Sequence, residues 1–292
     1  MRAPVADSLT RFVFESAALR GAVVGLDAAY RECVGHHDYP PRLARLMGET
    51  MAAVCLLANS LKFHGSLILQ LQGSGSLRLL VVECDAALSL RATAQWNGVI
   101  GERATLGELA GDPRTSRMVL TLDPKDGGPL YQGIVGLEGD SVASLFEHYL
   151  ETSEQIASRL WLDATAESVR GLLLQRMPGS TAADAATWAR AVSAVDDAAE
   201  PFASNDAHAL LEALFRDDDV RAFRPRTPRF GCSCTRERVA GALKMLGRAE
   251  VESILAELGS VGVNCEFCNR RYDFDADEAR ALFAASASAV HS

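Results

Sequence analysis

Four of the chain's seven cysteines fall in its last 61 residues, as Cys232-Ser-Cys234 and Cys265-Glu-Phe-Cys268. No other feature restricts the C-terminal fold as much. Each pair is a ready two-sulfur arm. Zinc takes four soft ligands in a tetrahedron with S–Zn distances of about 2.3 Å, so folding has only to bring two arms together. The 30 residues between Cys234 and Cys265 exceed the roughly 15–20 of an ordinary zinc ribbon. The gap must therefore carry structure of its own. Val239, Leu243 and Leu246 mark one short helical face, stopped by Gly247. Val251, Ile254, Leu255 and Leu258 mark another, stopped by Gly259. Tyr272, Phe274, Leu282 and Phe283 add a few apolar groups after the second arm. A module this small is marginal alone. A structural zinc site contributes about 10–16 kcal/mol of apparent binding free energy, against about 5–15 kcal/mol of net stability for a whole domain. The expectation is one zinc per chain on Cys232, Cys234, Cys265 and Cys268, and a module that unfolds without it.

The same sulfurs carry redox chemistry, because thiolate is the reactive form of cysteine. An oxidant converts a thiolate to a sulfenic acid, which condenses with a neighbouring sulfur. The spacing of Cys265 and Cys268 closes a disulfide easily; Cys232 and Cys234 can also pair, with more strain. A disulfide sulfur is a poor zinc ligand. Oxidation, metal loss and unfolding are then one coupled event, and the module is a switch. The competing reading is an inert zinc knot.

The remaining 231 residues are long enough for a large domain. Residues 8–25 read as loosely helical or mixed. Pro40-Pro41 opens a helix over 42–61, whose Leu43, Leu46, Met47, Thr50, Met51 and Val54 make one buried face. Strand-like runs follow at 66–72 and 77–84, joined by a Gly73-Ser-Gly75 turn, and at 89–95, 118–122 and 131–137. Residues 141–158 and 164–175 read as helices. The fold class is α+β: a mixed domain over 1–180 with a mainly antiparallel sheet packed by helices, then a helical linker, then a small four-cysteine zinc domain. The linker, 181–228, begins with an Ala-rich stretch to Val220 that holds nine acidic residues against Arg190 and Arg216, and it reads as marginally stable. Arg221, Arg224, Arg226 and Arg229, broken by Pro225 and Pro228, follow where regular helix is excluded. The zinc domain is 229–292 and ends in a small-residue tail, AASASAVHS, expected to fray.

At this point a resemblance is carried by particular residues. CSCTRER and VNCEFCNRRYDFD, together with LKFHGSLILQLQGSGSLRLLVVEC, LRATAQWNG, LTLDPKDGGPLYQGIVGLEGDSVASLFEHYLETSEQ and GLLLQRMPG, resemble the 33-kDa heat shock protein family, the redox-regulated bacterial chaperones, in order along nearly the whole chain. The resemblance implies a cytoplasmic, ATP-independent holdase that keeps unfolding proteins from aggregating under oxidative and heat stress. It implies zinc on Cys232, Cys234, Cys265 and Cys268 in a reduced, dormant form. It also implies Cys232–Cys234 and Cys265–Cys268 disulfides in the active form, which loses zinc, unfolds the module and linker, and tends to form a homodimer. Small departures are IASRL after Ser153-Glu-Gln, where Pro-Thr is expected, an unusually Ala- and Asp-rich linker, and Gly262 in place of a charged residue.

Other classes fare worse. A formal net charge of −9 argues against nucleic acid or anionic membrane as partner; a zinc-ribbon nucleic-acid protein, resting on the Arg221–Arg229 cluster, is the alternative. A thiol–disulfide oxidoreductase would want its CxxC on a thioredoxin-like unit. There is no phosphate loop or G-x-S-x-G, so no enzyme is expected. Charged residues Arg2, Asp7, Arg11 and Glu15 leave no room for a secretory h-region, and the apolar run 51–58 is too short to cross a bilayer. Cys55 and Cys84 read as buried apolar residues. Cys33 beside His36, His37 and Asp38 reads as a polar loop, and His148 with Glu147 and Glu151 as a solvated helix face.

Overall fold

The computed structural model describes residues 7–60, 65–124, 127–200, 202 and 206–284. Arg2, Leu61 and the tail from 285 onward lie outside the described residues. The chain divides into two compact units, up to Gly231 and from Cys232.

The first unit opens with β1 (Ser8–Phe14) and β2 (Leu19–Leu26), an antiparallel hairpin. This corrects the mixed or helical expectation for 8–25. The reason lies in β1 itself: Leu9 joins one core while Phe12 and Phe14 join another. A strand apolar on both faces has no polar alternation to reveal its period. Next come α1 (Ala28–Val34) and α2 (Pro41–Ser60), then β3 (Ser66–Gln72), β4 (Leu77–Asp85) and β5 (Ser89–Trp96). They are followed by α3 (Leu106–Ala110), β6 (Arg117–Asp123), β7 (Tyr131–Gly136) and α4 (Val142–Thr152). Two further strands, β8 (Ser158–Ala164) and β9 (Val169–Arg176), replace the helix expected over 164–175 and shorten the one expected over 141–158. The run VRGLLLQR of β9 is buried at seven of its eight positions, and a fully buried strand cannot be told from a buried helix by periodicity. The linker supplies α5 (Ala182–Asp196), α6 (Ala207–Leu214) and β10 (Val220–Ala222), and β11 (Arg229–Phe230) closes the unit.

These strands make two sheets, ordered β10-β1-β2-β9-β8 and β11-β5-β4-β3-β6-β7. All pairings are antiparallel except β11 on β5. The mainly antiparallel α+β expectation holds, with two sheets in place of one. The main core lies around α2, which packs against strands of both sheets. That is why α2 buries more than one stripe: every residue from Thr50 to Ala58 is buried. The polar member, Thr50, hands its hydroxyl hydrogen to the Leu46 carbonyl at 2.7 Å. At the start of α1, Asp7 accepts from the Ala28 and Ala29 amides at 2.9 and 2.7 Å, and the buried Asp27–Arg170 pair ties that turn to β9.

A second core covers the opposite face of the first sheet. Phe12, Phe14, Leu19, Val23, Leu172 and Leu174 meet Ala191 and Val195 of α5, Leu210 and Leu211 of α6, and Phe215 just after it. Phe215 sits with its ring centroid 5.8 Å from Phe12 and 5.2 Å from Phe14. The linker helices are thus a lid of aliphatic residues, closed by the Phe215 ring, on an aromatic sheet face. Asp184 pins the lid at its first turn. It accepts from the Thr181 hydroxyl at 2.7 Å within a capping box and from the Ala18 amide, in the β1–β2 turn, at 2.8 Å.

Hydrogen bonds from the Thr181 and Ala18 amides and the Thr181 hydroxyl hold the Asp184 carboxyl down to about 2, from 3.8. A carboxylate whose folded pKa is depressed adds stability that is complete above its unfolded value and lost as pH falls through the folded one. Docking of α5 should therefore weaken between about pH 4 and 2. Hydrogen exchange of α5 amides checks this: Asp184→Asn should exchange faster at neutral pH and lose the acid dependence that the parent shows.

Candidate metal centre

The second unit is built as the spacing predicts. Helices α7 (Arg236–Leu246) and α8 (Arg248–Leu258) fill the gap between the cysteine arms, followed by the hairpin β12 (Ser260–Asn264) and β13 (Arg271–Asp275) and by α9 (Ala276–Ala284). Gly247 and Gly259, at φ of 100° and 75°, end α7 and α8 with backbone that other residues adopt at a cost. The core is thin: Val239, Leu243, Val251, Leu255, Val261, Phe274 and Ala279.

Each arm is held by its neighbours. Cys232-Ser-Cys234 leads directly into α7, whose N-cap, Thr235, accepts from the Arg238 amide at 3.2 Å. The Arg238 guanidinium reaches back to the Ser233 carbonyl and hydroxyl at 3.0 and 2.6 Å, which fixes the residue between the two sulfurs. The second arm is the turn of the β12–β13 hairpin. The Cys265 amide donates to the Arg270 carbonyl at 2.9 Å, and the Asn269 amide to the Cys265 carbonyl at 2.8 Å. Asn269 takes φ of 53°, a left-handed conformation that asparagine tolerates well. Gly262, in β12, lies opposite Asp273; a Cβ there would meet the Arg271 guanidinium at 2.7 Å, so the Arg271–Asp273 ion pair occupies the space of the missing side chain.

The four sulfurs lie within 4.8 Å of one another. Across the arms, Cys232 and Cys265 are 3.7 Å apart and Cys234 and Cys268 are 3.4 Å apart. The edge of a tetrahedron with S–Zn of 2.3 Å is about 3.8 Å. The thiols therefore fit a zinc tetrathiolate in number, softness and spacing. Among the described residues no other group of His, Cys, Asp or Glu gathers in this way. All four cysteines are half-buried, whereas Cys33, Cys55 and Cys84 are fully buried, so reagents in water reach only the cluster.

Tyr272, which the sequence argument counted only as an apolar group, has a polar role. Its hydroxyl on β13 lies 3.1 Å from both the carbonyl oxygen and the sulfur of Cys234, linking the strand after one arm to the other arm. Partial burial pushes the Cys232 and Cys268 thiols up. At Cys234 burial acts the same way but is outweighed by hydrogen bonds from Tyr272 and the neighbouring thiols, which bring it down to about 7. Of these three thiols, Cys234 is the one that favours thiolate.

The other residues singled out in the sequence are placed as follows. Cys33 is buried, and the rings of His36 and His37 pack on Phe230 and Tyr39 at 5.1 and 5.4 Å. His148 and Glu151 are exposed, but Glu147 is half-buried: it accepts from the Leu160 amide at 2.7 Å and pairs with Arg159 at 3.2 Å. Glu147 therefore corrects the solvated-face reading; it ties α4 to β8. Gly73-Ser-Gly75 is the β3–β4 turn. Arg221 is paired with Glu15, and Arg226 bonds Asn59 and the Ala86 carbonyl, so half of the arginine cluster is engaged in the first unit. No described helix is long and apolar enough to cross a membrane.

Removing one sulfur should cost the unit its structure. Cys265→Ser is expected to reduce bound zinc well below one per chain and to abolish the circular dichroism of α7, α8 and α9, with the first unit's melting unchanged. Chelation of the parent should do the same. A folded, zinc-tight Cys265→Ser chain contradicts the ligand assignment.

Comparison with known proteins agrees with this architecture. A family model described as Hsp33 protein matches residues 7–275. The 33 kDa chaperonin of Methylobacillus flagellatus is 42% identical over 96% of this chain and 95% of its own length. That of Chromobacterium violaceum is 43% identical over 95% and 94%. The crystal structure of the 33 kDa chaperonin from Thermotoga maritima superposes with a TM-score of 0.79, covering 96% of this chain and 99% of that one at 18% identity, which shows a shared fold. Two sheets around a buried helix, four converging thiols and sequence identity along the whole length place this chain in the Hsp33 family.

Proposed function

We propose that the chain is a redox-regulated, ATP-independent holdase of the cytoplasm, a chaperone and not an enzyme, that binds unfolded or partly unfolded proteins during oxidative and heat stress. The observation that supports this reading is the gathering of four half-buried thiols in a unit whose core, among the described residues, has seven buried apolar side chains. Cys232, Cys234, Cys265 and Cys268 would hold one zinc in the reduced form, where the metal supplies the cross-link between the arms. Each disulfide, Cys232–Cys234 and Cys265–Cys268, forms as two thiols give up two protons and two electrons to a peroxide, which leaves as two waters. A C-terminal unit bridged in this way has no thiolates left for the metal and too little apolar burial to stay folded.

The apolar surface that clients need is supported by the second core. Once the linker helices leave, Phe12, Phe14, Leu172 and Leu174 lose their cover, and an uncovered apolar face of that size binds other apolar chains. The active form is a homodimer in this reading. Nucleic acid and membrane are not partners: the net charge is −9, and Arg221 and Arg226 are bonded within the first unit.

Light scattering of a thermally aggregating client tests the function. The reduced, zinc-loaded chain should leave aggregation unchanged and the peroxide-plus-heat-treated chain should suppress it; equal protection by both removes the switch. A mutation should bypass the oxidant. Phe215→Ala removes the ring that seats the linker, a loss of about 3–5 kcal/mol where phenylalanine is fully packed. The reduced variant is expected to retain its zinc and yet protect the client, in proportion to α5–α6 amide exchange.

A further inference from the structure

Strand β10 lies near the end of the linker and β11 just after it, yet each is the outermost strand of a different sheet. On the first sheet, the Leu9 and Arg226 amides donate to each other's carbonyls at 2.8 and 2.9 Å. The Phe223 amide donates to the Arg11 carbonyl at 2.8 Å, and the Glu15 amide to the Asp219 carbonyl at 2.8 Å. On the second sheet, the Arg229 amide donates to the Leu88 carbonyl at 3.0 Å and the Gly231 amide to the Leu90 carbonyl at 2.9 Å. Pro225 stands inside the first run and Pro228 between the two, and neither has an amide hydrogen to offer.

Side chains add two aromatic seats. The Phe223 ring lies under the guanidinium groups of Arg221 and Arg11, at 4.7 and 5.3 Å. Phe230 packs on the main core and against His36. Gly231 passes so close to β5 that a Cβ would fall 2.0 Å from the Ser89 hydroxyl. The segment 219–231 is therefore held by these six main-chain hydrogen bonds and one aromatic side chain per edge, besides the polar contacts of Arg221 and Arg226. Any extended polypeptide carries that main chain.

We propose that the edges of β1 and β5 are client-binding sites that take extended segments of unfolded protein as added strands, and that residues 219–231 occupy them in the resting chain as a built-in substitute. This rests on the reading of the chain as a holdase whose linker is released on activation. When β10 and β11 leave, β1 and β5 become the outermost strands, and each presents a row of amides and carbonyls without partners. Main-chain pairing tolerates any sequence, and pockets beside it select for side-chain type. The substitute identifies the preference: an extended segment with a phenylalanine-sized group at each edge.

The probe is a fluorescent peptide of the 219–231 sequence, titrated against the full oxidised chain and against the reduced, zinc-loaded chain. It should bind the oxidised form, displace an unfolded client from it, and bind the reduced form far more weakly. A second peptide, N-methylated at Phe223, Arg226, Arg229 and Gly231, keeps every side chain but loses the four amide donors. It should bind about tenfold more weakly or worse, since each lost hydrogen bond weakens the complex severalfold. Client binding to the oxidised chain should also slow exchange of the Leu9 and Glu15 amides. Equal binding of the two peptides, or a client that leaves Leu9 and Glu15 unprotected, overturns the proposal. So does protection of those amides in the oxidised chain without client, which would assign the edges to a second copy. Aggregation assays on the same samples separate the two readings. An oxidised chain that protects no client defeats the holdase itself, whereas one that protects its client with the edges open defeats only the strand-addition site.

Discussion

In the proposed reading, a metal held by four thiols that lie within 4.8 Å of one another is what gives the described part of the C-terminal unit its fold. Seven buried apolar side chains cannot offset the conformational entropy of ordering that unit. The local devices around the sulfurs shape each arm, namely Thr235 capping α7, Arg238 clasping Ser233 and Tyr272 reaching Cys234, but none joins the arms with comparable strength. The unit's stability is thereby concentrated at one chemically reactive point.

The first unit distributes its stability in the opposite way. Its main core is large, continuous and centred on a helix buried on all sides. Its lid, α5 and α6, rests on an aromatic sheet face through Ala191, Val195, Leu210, Leu211 and Phe215. Short side chains bury little area, and burial is worth about 25 cal/mol per Å². A single carboxylate, Asp184, anchors the lid's first turn to the β1–β2 hairpin. The reading as a regulated holdase joins these two weak points: one responds to oxidants, the other hides apolar surface.

Much of this was legible in the sequence, for identifiable reasons. The glycines at 247 and 259 mark where both helices between the cysteine pairs stop, because backbone of positive φ is a local demand. Strands with one solvated face, such as β3 and β4, showed their alternation. Strands of the first sheet do not: β1 and β2 put apolar residues on both faces and β9 is buried at seven of its eight positions, so 8–25 reads as mixed or helical and 164–175 as a helix. Tyr272 and Asp184 were missed because their partners, Cys234 and the Ala18 amide, are 38 and 166 residues away in the chain. Only long-range pairing brings them into reach.

The three fully buried cysteines carry one more consequence. Seven thiols in an unfolded chain can be joined in a great many ways, and most of them would be dead ends. With Cys33, Cys55 and Cys84 sealed in the main core, only four sulfurs meet an oxidant, and four can be joined pairwise in just about three ways. In the proposed reading, a main core that keeps the spare sulfurs out of the exchange lets such a sensor be cycled repeatedly.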